Sequence, residues 1–323
     1  MTAPALLEVR GISRRFPVRR GLFGRARGHV HALDRVSFAL MPGETLALVG
    51  ESGCGKSTTG RCIVGLDRPD EGAVHFDGRD VARLSPRELR RVRARLQMVF
   101  QDPSAALTGH MTVGDQLAEP LRNLRGLRDT AEIEAAVALL LARVGLDPAD
   151  AGRYPHAFSG GQKQRVCIAR ALASEPRAIV CDEAVSALDV SIKAQVVNLL
   201  IDLQDETGVA LLFISHDLGI VETISHRTAV MYLGRIVELG GTAALFDRPR
   251  HPYTELLLAA APTIGAEGRG GGAVADGDVP SAANPPSGCH FRTRCPLADA
   301  LCAREAPPLA ARPDGRLLAC HHR

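Results

Sequence analysis

At 323 residues, with 46% hydrophobic and 23% charged residues, the chain has the length and composition of a globular protein with one large domain and an appendage, or two modest domains. Its formal net charge of +3 is nearly balanced, so electrostatics alone gives weak support for nucleic acid as a partner. No run approaches the roughly 18 apolar residues of a membrane-spanning helix, and the N-terminus lacks the pattern of a signal peptide. We therefore expect a cytosolic chain that reaches a membrane only through partners.

The predicted elements begin with two antiparallel strands, residues 6–16 and 36–40, around a loop rich in arginine and glycine. Continuous apolar runs follow, separated by stretches with a helical pattern, and this arrangement indicates parallel strands that are buried on both faces. The runs are residues 45–50, 96–101, 178–183 and 210–217.

Helical signals fill the middle of the chain. Ser85-Pro-Arg-Glu88 predicts a helix start, because serine can cap the first turn and a glutamate three residues on can close a capping box. Residues from about 102 to 170 lack strong strand signals, and we interpret them as an inserted helical subdomain. Residues 228–240 predict a hairpin around Gly234.

One stretch has the pattern of a phosphate-binding loop. Gly50-Glu-Ser-Gly-Cys-Gly-Lys56-Ser57 follows an apolar β-type run and precedes a plausible helix. Glycines let backbone N–H groups converge on phosphate oxygens, and the helix N-terminus adds a favourable dipole. Lys56 can reach the β- and γ-phosphates, while the Ser57 hydroxyl can ligate Mg²⁺. The candidate nucleotide ligands are Gly50, Ser52, Gly53, Cys54, Gly55, Lys56, Ser57 and Thr58.

Further candidates lie where predicted strands end. Asp182 and Glu183 end the run 178–183, and ligands bind at the carboxyl ends of strands in open α/β sheets. An acidic pair after a strand is often only a turn. After a phosphate loop, however, we interpret Asp182 as an Mg²⁺ ligand and Glu183 as the base that orients and deprotonates the attacking water. His216 is expected to contact the γ-phosphate, and Gln101 to contact Mg²⁺ or the attacking water.

A second anion site is predicted at Phe158-Ser-Gly-Gly-Gln162. Ser-Gly-Gly supplies unobstructed N–H donors directly before a helical segment. One nucleotide does not need two phosphate cradles from the same chain. We therefore expect this cradle to contact a nucleotide bound by a partner subunit, through Ser159, Gly160, Gly161 and Gln162.

Together these motifs resemble an ABC-transporter ATPase over roughly residues 6–260. The resemblance implies an α/β fold, with a RecA-like P-loop ATPase core, an antiparallel β subdomain and a helical subdomain. A small cysteine-rich C-terminal extension would follow. The matched motifs are the Walker A loop (Gly50 to Ser57), the Q-loop (Gln101), the signature (Ser159 to Gln162), Walker B (Ile179 to Glu183), the D-loop (Ser186 to Asp189) and the switch histidine (His216).

A narrower resemblance is carried by Arg15 to Phe23, Val49 to Lys56 and His251 to Thr254. These segments are similar to the oligopeptide/dipeptide permease subfamily, and most similar to the second ATPase subunit of dipeptide permeases. The resemblance implies that Phe16 stacks on adenine. A buried core phenylalanine is the alternative.

The last part of the chain differs in composition. We expect the ATPase domain to span residues 1–260, a flexible linker rich in glycine, alanine and proline to span 261–287, and a cysteine-rich extension to span 288–323. Its cysteines have gaps of five, six and seventeen residues, longer than is usual for zinc knuckles. A 4Fe-4S cluster, which four thiolates can hold and which the resemblance favours, is one interpretation. Zinc and unliganded cysteines are the others, and the residues are Cys289, Cys295, Cys302 and Cys320, with His290, His321 and His322 as spare ligands.

The resemblance implies a subunit that uses ATP and Mg²⁺ to energise uptake of di- and oligopeptides. It would act as a peripheral protein on the cytoplasmic face of the cell (inner) membrane. Its partners would be a second ABC ATPase subunit in a heterodimer, two transmembrane permease subunits and an extracytoplasmic peptide-binding protein, with no nucleic acid. Import of nickel or another small solute is the alternative. A soluble ABC ATPase acting on ribosomes or DNA is the rival class, against which the single Walker A loop and the lack of sustained heptads both argue.

Overall fold

The computed structural model describes residues 4–19, 26–260 and 278–323. Residues 20–25, in the predicted arginine-rich loop, and residues 261–277, most of the predicted linker, lie outside the described residues. The chain divides into two compact units. The first unit consists mainly of Met41–Glu44 and Arg83–Ile214, and the second of Ala5–Leu40, Thr45–Ala82 and Ser215–Arg323.

The strands of the two units are numbered along the chain. They are β1 Leu7–Arg19, β2 Ala26–Leu40, β3 Thr45–Val49, β4 Glu71–Phe76, β5 Arg79–Asp80, β6 Leu96–Val99, β7 Ala178–Asp182, β8 Ala210–Ile214, β9 Arg227–Tyr232, β10 Arg235–Gly241, β11 Ala310–Ala311 and β12 Leu317–Leu318.

The helices are numbered in the same way. They are α1 Lys56–Ile63, α2 Pro86–Arg95, α3 Pro103–Ala106, α4 Val113–Pro120, α5 Thr130–Arg143, α6 Gly160–Leu172, α7 Val190–Thr207, α8 Leu218–Ile224, α9 Thr242–Asp247, α10 Pro252–Ala259 and α11 Ala300–Arg304. Short 3-10 turns occupy Val81–Arg83, Pro148–Gly152 and Pro155–Ala157, and a π-helical turn occupies Leu121–Arg125.

In the second unit, an antiparallel sheet has the strand order β2-β1-β4-β5. The register places Leu7 opposite both Leu40 and Phe76, so that large apolar side chains from three strands are buried together. The sequence reasoning missed β4, because Glu71–Phe76 contains a glycine and has little apolar alternation of its own. Its strand conformation depends on pairing with β1, which only the tertiary structure supplies.

The second unit also contains strands β3, β9, β10, β12 and β11, paired in that order. Strand β3 runs parallel to β9, and β9 and β10 form an antiparallel hairpin. The hairpin predicted around Gly234 is therefore confirmed, and Gly234 takes a φ of 80° in its turn. The two short strands of the C-terminal segment extend the hairpin through pairing of β12 with β10.

In the first unit, β6, β7 and β8 pair in parallel, as their continuous apolar sequences predict. Three strand ends differ from the prediction. Strand β6 ends at Val99, two residues before Gln101, β7 ends at Asp182 rather than at Glu183, and β8 ends at Ile214 rather than at Asp217. After β6 the chain turns because Asp102 caps α3 and precedes a proline, which disfavours continuation of regular structure.

Helices fill the first unit between β6 and β7, as predicted for residues 102–170. The predicted capping box of α2 is confirmed, since the Ser85 side chain accepts from Glu88 N and the Glu88 carboxylate accepts from Ser85 N. Helix α4 passes through Pro120 into the π-helical turn, which ends at Gly126 in the left-handed conformation. Within the described ranges, no helix combines the length and the apolarity that crossing a membrane requires.

Candidate active site

The loop between β3 and α1 makes a tight turn that requires glycine at two positions. Gly50 has a φ of 152°, and a Cβ there would lie 2.1 Å from the Met231 carbonyl oxygen. Gly55, the N-cap of α1, has a φ of 109°, and its Cβ would lie 2.3 Å from the Ala32 carbonyl oxygen. Only glycine combines these backbone angles with such close approach. The loop therefore places the N-terminus of α1 directly after a buried strand, the arrangement in which backbone N–H groups bind phosphate.

Lys56 is buried, and its ammonium is held by the loop itself. Its Nζ donates to the carbonyl oxygens of Gly50 at 2.8 Å and Glu51 at 3.0 Å, and lies 3.8 Å from the sulfur of Cys54. Burial raises the pKa of the Cys54 thiol, so this neighbour stays neutral. An ammonium that bonds to two carbonyls is fixed within the loop, and it can exchange these weaker acceptors for phosphate oxygens.

Three contacts from other parts of the second unit support the loop. Glu51 N donates to the Tyr253 hydroxyl at 2.9 Å, and Gly234 N donates to the Cys54 carbonyl at 2.9 Å. The guanidinium of Arg294 donates to both carboxylate oxygens of Glu51, at 2.9 and 3.0 Å. Gly234 was predicted only as the turn of a hairpin, and Tyr253 only as part of the segment His251 to Thr254 that resembles the family. No sequence signal pointed to Arg294.

The remaining candidates of the second unit are Phe16, Ser57, Thr58 and His216. Phe16 is half-buried, with the guanidinium of Arg14 4.7 Å from its ring centroid, so it is not a buried core residue. Ser57 and Thr58 lie in the first turn of α1 and are partly exposed. His216 is exposed and lies between Ser215, whose hydroxyl accepts from Asp217 N at 3.0 Å, and Asp217, which caps α8.

In the first unit, Glu183 has a special backbone conformation. Its φ of 46° lies in the left-handed region, which is uncommon for residues other than glycine and clusters at functional sites. Its N–H donates to the Ile214 carbonyl at 3.0 Å, and its own carbonyl accepts from both the N–H and the hydroxyl of Ser186. These bonds fix the direction in which the side chain leaves the backbone.

The structure brings the side chains of Gln101 and Glu183 together. Gln101 Nε2 donates to Glu183 Oε2 at 3.0 Å, although 82 residues separate them in the chain. Asp182 precedes Glu183 at the end of β7 and is buried. An ionised carboxylate that accepts from a neutral amide can also accept a proton from water, which is the requirement for a general base.

The N-terminus of α6 is capped by its own residues. Ser159 Oγ accepts from Gln162 N, and the Gln162 side-chain oxygen accepts from Ser159 N at 2.9 Å. Ser159 and Gly160 are exposed. Gly161 is buried against Ile192, and a Cβ added to Gly161 would lie 2.4 Å from the Ile192 Cγ2. The predicted anion cradle is therefore a capped helix start that exposes its first residues. Gln162 contributes to it as a cap.

The D-loop ends in an exposed surface. Asp189 is the N-cap of α7, but its side chain makes no capping hydrogen bond. The next residue, Val190, is 81% exposed. An exposed apolar residue beside an exposed carboxylate has the character of a contact surface, although a single exposed valine is common on proteins.

Comparison with known proteins decides the family. Residues 33–186 match the family model described as ABC transporter, and residues 237–302 match the model described as Oligopeptide/dipeptide transporter, C-terminal region. The chain is 52% identical over 319 residues to the probable peptide ABC transporter ATP-binding protein y4tS of Sinorhizobium fredii, covering 99% of this chain and 90% of that protein. It is 50% identical to the oligopeptide transport ATP-binding protein AppF of Bacillus subtilis, covering 98% and 97% of the two chains. The chain belongs to the oligopeptide/dipeptide family of ABC-transporter ATP-binding proteins.

The solved structures agree with this ABC ATPase fold. A dimeric post-hydrolysis state of the ATP-binding cassette MJ0796 bound to ADP and Pi is 28% identical, with a TM-score of 0.66, and the match covers 73% of this chain and 98% of that one. The cbiO1 protein of Clostridium perfringens, part of an ABC transporter complex, is 27% identical, with a TM-score of 0.65 and coverage of 76% and 91%. This ABC ATPase is therefore an ATP-binding and ATP-hydrolysing transporter subunit.

The C-terminal segment of this ABC ATPase, residues 278–323, packs on the hairpin of the second unit. Glu238 of β10 is fully buried and forms an ion pair with Arg316, while its carboxylate also accepts from the backbone N–H groups of Arg250 and His251. Residues 278–287, the described part of the predicted linker, include a backbone hydrogen bond from His31 N to Ala282 O at 2.8 Å.

All eight cysteines of the chain are described and are free thiols. Burial raises the pKa values of Cys289, Cys295 and Cys302, and the neighbouring thiols of the same segment raise the pKa of Cys295 further. Cys289 N donates to the Cys302 carbonyl at 2.8 Å. Among the described residues, Asp299, Cys302 and His322 place their ligand atoms within 4.8 Å of one another, a sulfur, nitrogen and oxygen set that fits zinc.

Proposed function

We propose that this ABC ATPase energises the import of di- and oligopeptides across the cytoplasmic membrane. Similarity to transporters named for peptides extends over nearly the whole chain and includes the C-terminal region, beyond the common ATPase domain. The chain is also 56% identical over 257 residues to the glutathione import protein GsiA of Escherichia coli, although it covers only 41% of that protein. Glutathione is itself a small peptide, so this similarity supports the same cargo class.

In the proposed site, the phosphates of ATP bind to the loop from Gly50 to Thr58 and to the ammonium of Lys56. Mg²⁺ is ligated by Ser57, Gln101 and Asp182, oxygen ligands of the type that this ion prefers. Phe16 stacks on adenine, and its incomplete burial supports that role.

Hydrolysis is assigned to Glu183 as the general base, with Gln101 and His216 positioning the water and the γ-phosphate. The observation that carries this assignment is the left-handed backbone of Glu183 together with its hydrogen bond to Gln101. A strained backbone that is fixed by Ser186 and Ile214 keeps the carboxylate in one direction, and orientation of this kind supplies much of the rate in phosphoryl transfer.

The signature residues Ser159 to Gln162 and the D-loop residue Asp189 are assigned to a nucleotide bound by a second ABC ATPase subunit in a head-to-tail heterodimer. The exposed first residues of α6 and the exposed Val190 support this assignment. Two transmembrane permease subunits and an extracytoplasmic peptide-binding protein complete the proposed importer. The ATPase lies at the cytoplasmic face of the membrane.

We also propose that the C-terminal cysteines bind a metal centre. The set Cys289, Cys295, Cys302 and Cys320 suits a 4Fe-4S cluster, and the hydrogen bond from Cys289 N to the Cys302 carbonyl supports the proximity of two of its members. The Asp299, Cys302 and His322 set suits zinc. Iron, sulfide and zinc analysis of anaerobically purified chain distinguishes the two, and absence of all three overturns the proposal.

The decisive experiment measures ATP hydrolysis by the complex reconstituted with its co-encoded permeases and binding protein. Dipeptides, longer peptides and nickel are added in turn. Stimulation by peptides is expected. Stimulation by nickel alone would retain the ATPase assignment and remove the peptide cargo, and basal hydrolysis without any stimulation would favour another solute or a role outside transport.

A further inference from the structure

The C-terminal segment reaches the phosphate-binding loop through one side chain. The guanidinium of Arg294 forms two nearly parallel hydrogen bonds with the carboxylate of Glu51, at 2.9 and 3.0 Å. The Arg294 side chain is 8% exposed and that of Glu51 is 25% exposed. Bidentate arginine–carboxylate pairs with little exposure have a defined geometry and are stronger than exposed single contacts. This contact therefore constrains both segments.

Arg294 is held in place before it meets Glu51. It lies in a turn of its own segment, in which Arg294 N donates to the Phe291 carbonyl at 3.0 Å. Phe291 is fully buried, and its ring lies 5.2 Å from that of Tyr232 and 5.5 Å from that of Tyr253. The guanidinium of Arg294 lies 5.9 Å from the centroids of both Tyr232 and Phe291. An arginine fixed by packing loses little entropy when it binds a carboxylate.

Glu51 is the residue through which this constraint passes to the loop. Its N–H donates to the Tyr253 hydroxyl, and its carbonyl accepts from both Lys56 Nζ and Cys54 N. A shift of Glu51 therefore moves an acceptor of the lysine that is assigned to the phosphates. In addition, without a cation beside it the Glu51 carboxylate would repel the polyphosphate of ATP, because like charges repel each other more at a partly buried position than in bulk water.

We propose that Arg294 is a positioning residue for the ATP-binding loop, which it aligns through Glu51 while neutralising the carboxylate. The C-terminal segment thereby sets the affinity of the loop for nucleoside triphosphate. This inference rests on the proposed function in assigning the loop from Gly50 to Thr58 to the phosphates. It adds a role for a segment that lies far from that loop in sequence.

The test uses the full-length chain with the Arg294→Gln substitution. ATP–Mg²⁺ binding is titrated at equilibrium, and KM and kcat for ATP hydrolysis are measured alongside. We expect the dissociation constant and KM to rise about 10-fold, an effect typical of coupling between groups in contact, while kcat changes by less than about 2-fold. Arg292→Gln is the matched control. Arg292 lies two residues away and bonds to Ser287 in its own segment, so its removal should leave KM unchanged.

A double mutant separates positioning from a merely structural role. Adding Glu51→Gln to Arg294→Gln removes the uncompensated charge, and it should restore a measurable part of the lost affinity. If the affinity lost in the double mutant equals the sum of the losses in Arg294→Gln and in Glu51→Gln alone, the inference is overturned. An unchanged KM in Arg294→Gln would overturn it as well. If Arg294→Gln does not fold, Arg294→Lys takes its place, with an expected rise of about 3-fold because lysine keeps the charge but not the bidentate geometry. An unchanged KM in Arg294→Lys would overturn the inference equally.

The proposed function can fail separately from this inference. If peptides do not stimulate ATP hydrolysis by the reconstituted complex, the proposed peptide cargo is wrong. The difference in ATP affinity between wild type and Arg294→Gln still tests the positioning role in that case.

Discussion

Two helix starts in this ABC ATPase are rich in glycine, and they are built differently. The loop before α1 needs glycines with positive φ, approaches backbone carbonyls closely and folds Lys56 back on its own carbonyls. The start of α6 has neither Gly160 nor Gly161 at positive φ, and a capping box satisfies the N–H groups of Ser159 and Gln162 locally. Both helix starts thus offer N–H donors at a helix N-terminus, but their local structures differ.

The two helix starts differ in how much they depend on distant parts of the chain. The loop before α1 obtains hydrogen bonds from Tyr253, Gly234 and Arg294, which lie about 180 to 240 residues further along the chain. The start of α6 obtains its cap within four residues. A loop that is held from outside responds to changes elsewhere in its unit, whereas a helix that caps itself responds mainly to its own sequence. The predictions below test this contrast.

The largest expected effect comes from replacing Glu183, which lies in neither helix start. It tests whether the helix starts contribute to the hydrolytic step or only to ATP binding. Both helix starts supply only N–H donors and charge, whereas the proposed base is Glu183. Glu183→Gln should therefore keep ATP binding and lower kcat by about 10²- to 10⁴-fold, the usual range for loss of a general base. Single-turnover hydrolysis and nucleotide titration measure the two quantities. Ordinary turnover by this variant would transfer the role of base to another group.

A pair of glycine substitutions tests the steric contrast directly. Gly55→Ala combines left-handed strain with a Cβ 2.3 Å from the Ala32 carbonyl, and it should lower the free energy of unfolding by about 4 kcal/mol. Gly160→Ala has no positive φ, and its nearest neighbour, the Leu188 Cδ2, is 3.8 Å away. It should stabilise the chain slightly, by about 0.5 kcal/mol. Denaturant titrations that give equal changes would contradict the contrast.

Acid should weaken the support of the loop before α1 selectively. His251 caps α10 by accepting from Tyr253 N, and burial lowers its pKa from 6.5 to about 4. The unfolded chain therefore binds the proton more readily than the folded chain. Stability is fully present above pH 6.5 and is lost as the pH falls towards 4, by about 3 kcal/mol in total.

The His251→Asn variant provides the comparison for that pH dependence. Asparagine keeps a capping acceptor but does not titrate, so the slope of unfolding free energy between pH 6.5 and 4 should become shallower. His156→Asn, at an exposed position, is the control and should leave the slope unchanged. An identical slope in His251→Asn would show that other groups cause the acid sensitivity.

A modest effect is expected from removing the cap at the start of α6. Ser159→Ala removes the cap and should cost about 1 kcal/mol of stability. Ser159→Asp restores a capping acceptor but adds a negative charge, so it should recover stability while weakening ATP-dependent association of the subunits. Thermal unfolding and light scattering with ATP measure these two outcomes. If Ser159→Asp recovered both stability and ATP-dependent association, this would argue against phosphate binding at this helix start.

Much of the fold follows from local patterns along the chain. The parallel strands β6 to β8, the β9–β10 hairpin and the capping box of α2 were all predicted, because continuous burial, turn residues and cap chemistry are encoded within a few residues. Strand β4 was not, since its own residues are weakly β-forming and its pairing with β1 determines it.

The candidate site divides in the same way. Glycine spacing, Lys56 and the acidic pair after a strand are local signals, and they were enough to identify an ATP-hydrolysing member of this family. The contacts of Gln101 with Glu183 and of Arg294 with Glu51 join residues 82 and 243 positions apart, and they are visible only in the folded chain. No local pattern encodes such pairs. The energy of a bidentate ion pair or of an amide–carboxylate hydrogen bond exists only after folding has brought the two side chains together.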